Sequence, residues 1–114
     1  SPLFRLRTAE DVMARVGFLN SGADQVPGLI VMEIRDELDG MKPVDPANRR
    51  VVVLFNATTE TVAFDHESFK GASLELHPVQ QVSKDEMVKQ ASFDEQKVRF
   101  SVPARTTAVF VERQ

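Results

Sequence analysis

Apolar residues along this chain come in short runs separated by turn-forming residues. Leu29-Ile30-Val31-Met32-Glu33-Ile34 follows Pro27-Gly28 and is rich in β-branched side chains, which predicts a strand. Val51-Val52-Val53-Leu54-Phe55 is apolar at every position, the pattern of a strand buried on both faces. Thr61-Val62-Ala63-Phe64 and Ser73-Leu74-Glu75-Leu76-His77 alternate instead, so each is expected to have one wet face. Lys97 to Val102 alternates with Val98, Phe100 and Val102 on one side. Pro103 ends it, and Thr106 to Val111 makes a last strand.

The opening reads differently. Thr8-Ala9-Glu10-Asp11 resembles a capping box with acidic residues in the first helical turn. Val12, Met13 and Val16 recur at helical spacing until Gly17 limits the helix. Extended structure is expected from Arg15 to Asn20, with a turn at Asn20-Ser21-Gly22. Asp36 to Pro46 is a polar loop. Ser83-Lys84-Asp85-Glu86 is suited to capping one helical turn, and Met87 to Phe93 fits a helix or a short strand equally well. The whole predicts an all-β antiparallel sandwich, Greek-key-like, of about seven strands with a short helical N-terminal lead-in.

Composition sharpens this picture modestly. A length of 114 residues suits one domain, and the 42% apolar fraction is ordinary for a globular chain. The net charge of −3, with both signs mixed, argues against a nucleic-acid partner, which selects basic stripes. No apolar run approaches a membrane span, and Ser1-Pro2-Leu3 carries no signal-peptide pattern. Cysteine is absent; the eight Phe stand without any Trp or Tyr. Phe supplies bulk without a polar handle, so the aromatic set favours packing over ligand binding.

Candidate chemistry is sparse. His66 and His77 lie on different segments and in no metal-ligand spacing, so a structural or solvent-facing role is expected. Asp36, Glu37, Asp39 and Asp45 gather around Gly40, but the stretch lacks the calcium-loop pattern and reads as a solvated loop. Glycosidic acid–base catalysis needs two carboxyls across a cleft, one with a raised pKa. Glu33, Glu75 and Asp94 are expected on exposed strand faces or turns, which do not supply that environment. Asn56-Ala57-Thr58 is formally a glycosylation sequon. It follows directly on the buried strand, so Asn56 is expected to bond a neighbouring backbone group. There is no Gly-x-Ser-x-Gly and no phosphate loop. No catalytic, cofactor-binding or metal-binding residue is assigned, and no cofactor is expected.

Three stretches resemble a known family. Ser1-Pro2-Leu3-Phe4-Arg5-Leu6 with Thr8-Ala9-Glu10-Asp11 looks like the end of the catalytic barrel in pullulanase-type starch-debranching enzymes, members of glycoside hydrolase family 13. Val16 to Asn20 with Gln25 to Met32 resembles the opening of their C-terminal domain, and Val102 to Glu112 its closing strand. The likeness extends through Val53-Leu54-Phe55-Asn56-Ala57.

This resemblance implies residues 1–14 as the barrel's tail and junction, and residues 15–114 as a C-terminal β-sandwich. It implies a parent that hydrolyses α-1,6 linkages of pullulan, amylopectin and limit dextrins by a retaining, two-carboxylate mechanism. The catalytic acids would lie on the barrel, upstream of this chain. The partner implied is then that barrel in the same polypeptide, with α-glucan met only through the parent enzyme. The domain would shield apolar barrel surface and stabilise the enzyme, with Leu3, Phe4 and Leu6 near the junction. The rival expectation is a starch-binding module, which would need exposed aromatic platforms. The resemblance is compatible with secreted, surface-attached, intracellular and plastid settings alike.

Overall fold

The computed structural model describes residues 16–20, 26–36, 48–66, 69–82 and 86–113. Its strands are β1 (Val16–Phe18), β2 (Leu29–Arg35), β3 (Asn48–Asn56), β4 (Val62–Asp65), β5 (Glu75–Leu76), β6 (Ser92–Asp94), β7 (Arg99–Val102) and β8 (Thr106–Arg113). They form a five-stranded sheet in the order β1-β2-β3-β8-β5 and a three-stranded sheet in the order β4-β7-β6. Every pairing is antiparallel. This is the expected all-β sandwich. The lead-in around Thr8, the turn at Ser21-Gly22, most of the Asp36–Asp45 loop and the Ser83–Asp85 segment lie outside the described residues.

β3 is central because its residues are apolar on both sides. It pairs with β2 along one edge, Val52 opposite Glu33 and Leu54 opposite Val31. It pairs with β8 along the other, Val52 opposite Phe110 and Leu54 opposite Ala108. Since side chains alternate along a strand, Val52 and Leu54 share a face with Leu29, Val31, Ala108 and Phe110. That inner face packs against Phe64, Phe69, Phe100 and Val102 from the second sheet and its connection. Phe100 is fully buried and sits at the centre. Its ring lies 4.8 Å from Phe69 and 5.0 Å from Phe110 in edge-to-face contact, and 4.6 Å from Phe93, the spacing aromatic quadrupoles favour.

The other face of the large sheet carries Val51 and Val53 with Ile34 and Val111, all buried, and the half-buried Val16, Met32 and Val109. Val51 to Leu54 are therefore buried on both faces, as the run predicts. Phe55, at the end of the run, departs from it and is 39% exposed.

Turn chemistry fixes the ends of the strands. Gly28 has φ +74°, a left-handed conformation, and a Cβ there would fall 2.5 Å from Cγ2 of Thr58. Only glycine meets both constraints without strain. Asn20 donates from Nδ2 to the carbonyls of Val26 and Leu29 (2.9 and 2.6 Å) and accepts from the Val26 amide (2.7 Å). It thereby ties the end of β1 to the start of β2. Asp94 Oδ1 accepts from the amides of Gln96 and Lys97 (3.0 and 3.2 Å) and closes the β6–β7 hairpin, a local competition that Asp wins readily.

The structure differs from the sequence pattern in three strand boundaries. Val98 belongs to that hairpin turn, at φ 55°, and strand pairing starts at Arg99. Its side chain still packs on the core with Phe100 and Val102. The alternating stretch 73–77 forms strand only at Glu75–Leu76, after which a helical turn, Pro78–Gln81, begins. The ambiguous stretch 87–93 divides into a 3-10 turn, Val88–Gln90, and the start of β6.

Candidate functional site

β3 ends its inner face in a polar residue on each side: Arg50, Val52, Leu54, Asn56. Arg50 and Asn56 are both buried, and a buried polar group needs partners. Asn56 Nδ2 faces the carbonyls of Glu60, Val102 and Pro103 at 2.9, 3.0 and 2.9 Å. Its Oδ1 accepts from the amide and hydroxyl of Thr58 (2.9 and 2.7 Å). One side chain thus joins the large sheet to the β7–β8 turn of the sandwich. The backbone role expected for Asn56 is what the structure shows; its amide nitrogen is buried among carbonyls.

At the other end Arg50 reaches two carboxylates. Nη1 donates to Glu33 Oε2 (3.0 Å) and Nη2 to Glu112 Oε1 (3.1 Å), while the guanidinium carbon lies 4.9 Å from the centroid of the Phe69 ring. Glu112 Oε2 also faces the Ser73 amide (3.3 Å), and Arg35 Nε stands 3.8 Å from Glu33 Oε1. Glu33 is only 5% exposed. The sequence reading placed it on an exposed face, and the structure corrects that. Glu33 shares the inner face with Val31, and its charge is accommodated because Arg50 is beside it. The two acids share one guanidinium, with Arg35 as a second, more exposed cation beside Glu33, an arrangement that offsets the cost of burying charge.

A polar cleft of about 230 Å³ opens beside this cluster, lined by Arg35, Arg49, Arg50, Lys70 and Glu112. Asp36, the one member of the acidic loop set among the described residues, is fully buried, its amide donating to the Arg49 carbonyl (2.8 Å). Glu37, Asp39 and Asp45 fall outside the described residues.

The remaining candidates are scattered. His66 stacks on Phe64 at 6.2 Å and meets the edge of Phe69 at 6.2 Å. His77 belongs to the other sheet's margin: its amide donates to Val109 (2.7 Å) and its carbonyl starts the helical turn. Gln80 in that turn continues the edge of β8, accepting from the Val109 amide (2.7 Å) and donating to Thr107 (3.0 Å). Glu75 and Asp94 are exposed, as expected. Among the described residues no three His, Asp or Glu side chains are grouped to hold a metal ion, and no helix is long and apolar enough to cross a membrane.

The electrostatically perturbed pair is Asp65–Arg99 on the outside of the small sheet. Arg99 donates from Nε to Asp65 Oδ1 (2.7 Å) and from Nη2 to Oδ2 (3.0 Å). That bidentate bond holds the Asp65 carboxyl below the ordinary carboxylate range, against a small opposing effect of burial, and raises Arg99 in turn. Both side chains are about half exposed, so the pair is a surface staple between β4 and β7.

The outer face of the large sheet is the feature the sequence reading missed. Phe18 is 60% exposed, Ile30 54% and Phe55 39%. Register puts Phe18 opposite Met32, Met32 opposite Val53, and Ile30 opposite Phe55. They form one apolar corner continuous with the buried Val51–Val53 cluster. A possible signal was the alternate apolar set of β2, Ile30, Met32 and Ile34, standing beside an equally apolar inner set.

Fold and surface together define a two-sheet antiparallel β-sandwich module whose buried charges serve packing and whose larger sheet is apolar on both faces. The chain belongs to the family described as alpha-1,6-glucosidases, pullulanase-type, C-terminal, whose model matches residues 1–113. It is 47% identical over 115 residues to chloroplastic pullulanase 1 of Arabidopsis thaliana, covering 98% of this chain and 12% of that protein. It superposes on the crystal structure of apo pullulanase from Klebsiella pneumoniae with a TM-score of 0.81 at 33% identity, over 92% of this chain and 11% of that one. A pullulanase mutant from Paenibacillus barengoltzii, 22% identical, shares the fold at a TM-score of 0.67. The chain thus spans about one eighth of the length of the relatives it matches.

Proposed function

We propose that this chain is the non-catalytic C-terminal accessory domain of a pullulanase-type α-1,6-glucan hydrolase, packing on the catalytic barrel and stabilising it. The observation that carries the reading is the second apolar face of the large sheet. The outward side of a two-sheet sandwich is ordinarily solvated and polar. Here Ile34, Val51, Val53 and Val111 are buried on that side, and Phe18, Ile30 and Phe55 extend it into solvent.

Catalysis by the chain itself is disfavoured by the geometry of its carboxylates. Glu33 and Glu112 converge on Arg50, which holds both as ion-pair acceptors and leaves no space for a sugar ring between them. A retaining glycosidase needs two carboxyls flanking the scissile bond, one kept protonated by its surroundings. The debranching chemistry is therefore assigned to the remainder of the longer protein. Glucan binding is disfavoured because the exposed rings of Phe18 and Phe55 stand among the apolar Ile30 and Met32 on the same face, whereas a sugar site sets convergent polar groups beside its apolar surface.

The test is deletion. The longer enzyme without residues 15–114 is expected to lose thermal stability and solubility, and the missing segment to show no turnover of pullulan and no saturable binding of maltooligosaccharides. Unchanged thermal stability and solubility after deletion would refute the accessory role.

A further inference from the structure

We propose that the side chain of Gln80 closes an open strand edge of β8, and that the partner it keeps out is an extended strand: the same edge of a second copy of this chain. The proposal does not depend on the accessory reading above.

β8 itself sets the need for a closure. It pairs with β3 from Thr106 to Arg113. On its other side β5 supplies only Glu75, opposite Val111, and Leu76, opposite Phe110. Thr107 to Val109 therefore lie on a sheet edge beyond the end of β5. The run Thr106-Thr107-Ala108-Val109-Phe110-Val111 has no charge, no Pro and no Gly and is rich in β-branched residues. A run of that composition on a bare edge is a template for pairing with another chain.

Gln80 fills the place that a longer β5 would occupy. Continued in register, β5 would set His77 opposite Val109 and residue 79 opposite Thr107. Such hydrogen-bonded pairs in an antiparallel ladder exchange bonds in both directions. His77 supplies the first half, its amide donating to the Val109 carbonyl (2.7 Å). Its carbonyl instead accepts from the amides of Gln80 and Gln81 (2.8 and 3.1 Å) and so starts the helical turn Pro78–Gln81. The Val109 amide donates to Gln80 Oε1 (2.7 Å), and Gln80 Nε2 donates to the Thr107 carbonyl (3.0 Å), the bond a strand residue at position 79 would have made. A carboxamide has the donor and acceptor of a peptide group, so one side chain completes the ladder while the backbone has already turned away. Gln81 repeats the device one strand further out. Because His77 faces Val109, the backbone groups of Leu76 face away from β8, and Gln81 Nε2 donates to the Leu76 carbonyl.

The test is Gln80→Met in the intact longer protein, a change that keeps length and bulk and removes both polar groups. The Val109 amide is expected to exchange hydrogen roughly fivefold faster, the factor one net hydrogen bond is worth, while the amides of Val51 to Leu54 keep their rates. In sedimentation the variant should gain mass with concentration and the unsubstituted protein should not. Adding Thr107→Pro should abolish that gain, because Thr107 faces the same edge and proline blocks strand pairing there. Thr107→Lys, which keeps the amide and sets a charge on the edge, should weaken it in the same direction. An unchanged Val109 rate overturns the proposal, as does faster exchange without concentration-dependent association. Association that survives both Thr107 changes would place the contact elsewhere, and association with equal acceleration at Val51 to Leu54 would trace it to unfolding; either result also overturns it.

Discussion

The two faces of the five-stranded sheet use the same strands for different ends. The inner face is closed at both ends by polar residues with assigned partners, Arg50 with Glu33 and Glu112, and Asn56 with the Val102 and Pro103 carbonyls. Between them lie Val52 and Leu54 against the Phe100 cluster. At the Phe18–Ile30–Phe55 corner of the outer face, by contrast, apolar side chains run out into solvent, and Phe55 meets the exposed Thr107 across the strand pair. A face that is complete in itself ends in satisfied polar groups, because an unpaired one would cost free energy on burial. A face that ends in exposed apolar groups is shaped for something further.

If this contrast is right, equal chemical changes on the two faces should have unequal effects. Phe100→Ala removes a ring with no exposure and three aromatic neighbours, and is expected to cost about 4 kcal/mol in denaturant unfolding of the chain. Phe55→Ala on the outer face should cost no more than about 1 kcal/mol in the same assay, because part of its area is already in water. A loss at Phe55 as large as at Phe100 would break the comparison.

Arg50→Met should cost about 3 kcal/mol, since Glu33 would be left buried without its hydrogen-bonded cation and with only the more distant Arg35 beside it. Glu33→Leu combined with Arg50→Met should recover much of that loss, because the apolar pair needs no charge compensation; a double variant no more stable than Arg50→Met would show that the ion cluster contributes more than neutralisation. Asn56→Asp should cost about 2 kcal/mol, as it removes the donor and sets a carboxylate against three carbonyls. The same variant would lose the tie between the sheets, so hydrogen exchange should accelerate first at the Val102–Thr106 turn.

The smallest effect belongs to the exposed Asp65–Arg99 pair. Because the bond to Arg99 lowers the native pKa of Asp65, the pair's contribution is present at neutral pH. It is lost as pH falls from the unfolded value of about 3.9 through the native one. Wild type and Asp65→Asn should therefore differ slightly in melting temperature at pH 7, and the difference should vanish in acid and shrink with added salt. A difference that grows on acidification would contradict the assignment.

How far the sequence could be read depended on the range of the interactions involved. Val51 to Leu54 announced a central strand because burial on two faces leaves no polar position, and the structure flanks it with β2 and β8. Pro27-Gly28 announced a turn because of backbone constraints local to those residues, and Gly28 indeed has the left-handed φ that glycine accepts. Glu33 was misplaced because its compensation comes from Arg50, 17 residues away, and the cluster is closed by Glu112, a further 62 residues along the chain from Arg50. The strand expected from Lys97 starts two residues later, at Arg99, because the Asp94 side chain, not apolar alternation, set where the hairpin ends.

The sequence by itself determined the fold class, the central strand and the family resemblance, since each is written in local alternation, turn chemistry or contiguous motifs. Only the tertiary structure decided which charges are buried together and which apolar side chains remain uncovered. Those depend on strand register, and register places side by side residues such as Phe18, Ile30 and Phe55 that no local pattern connects.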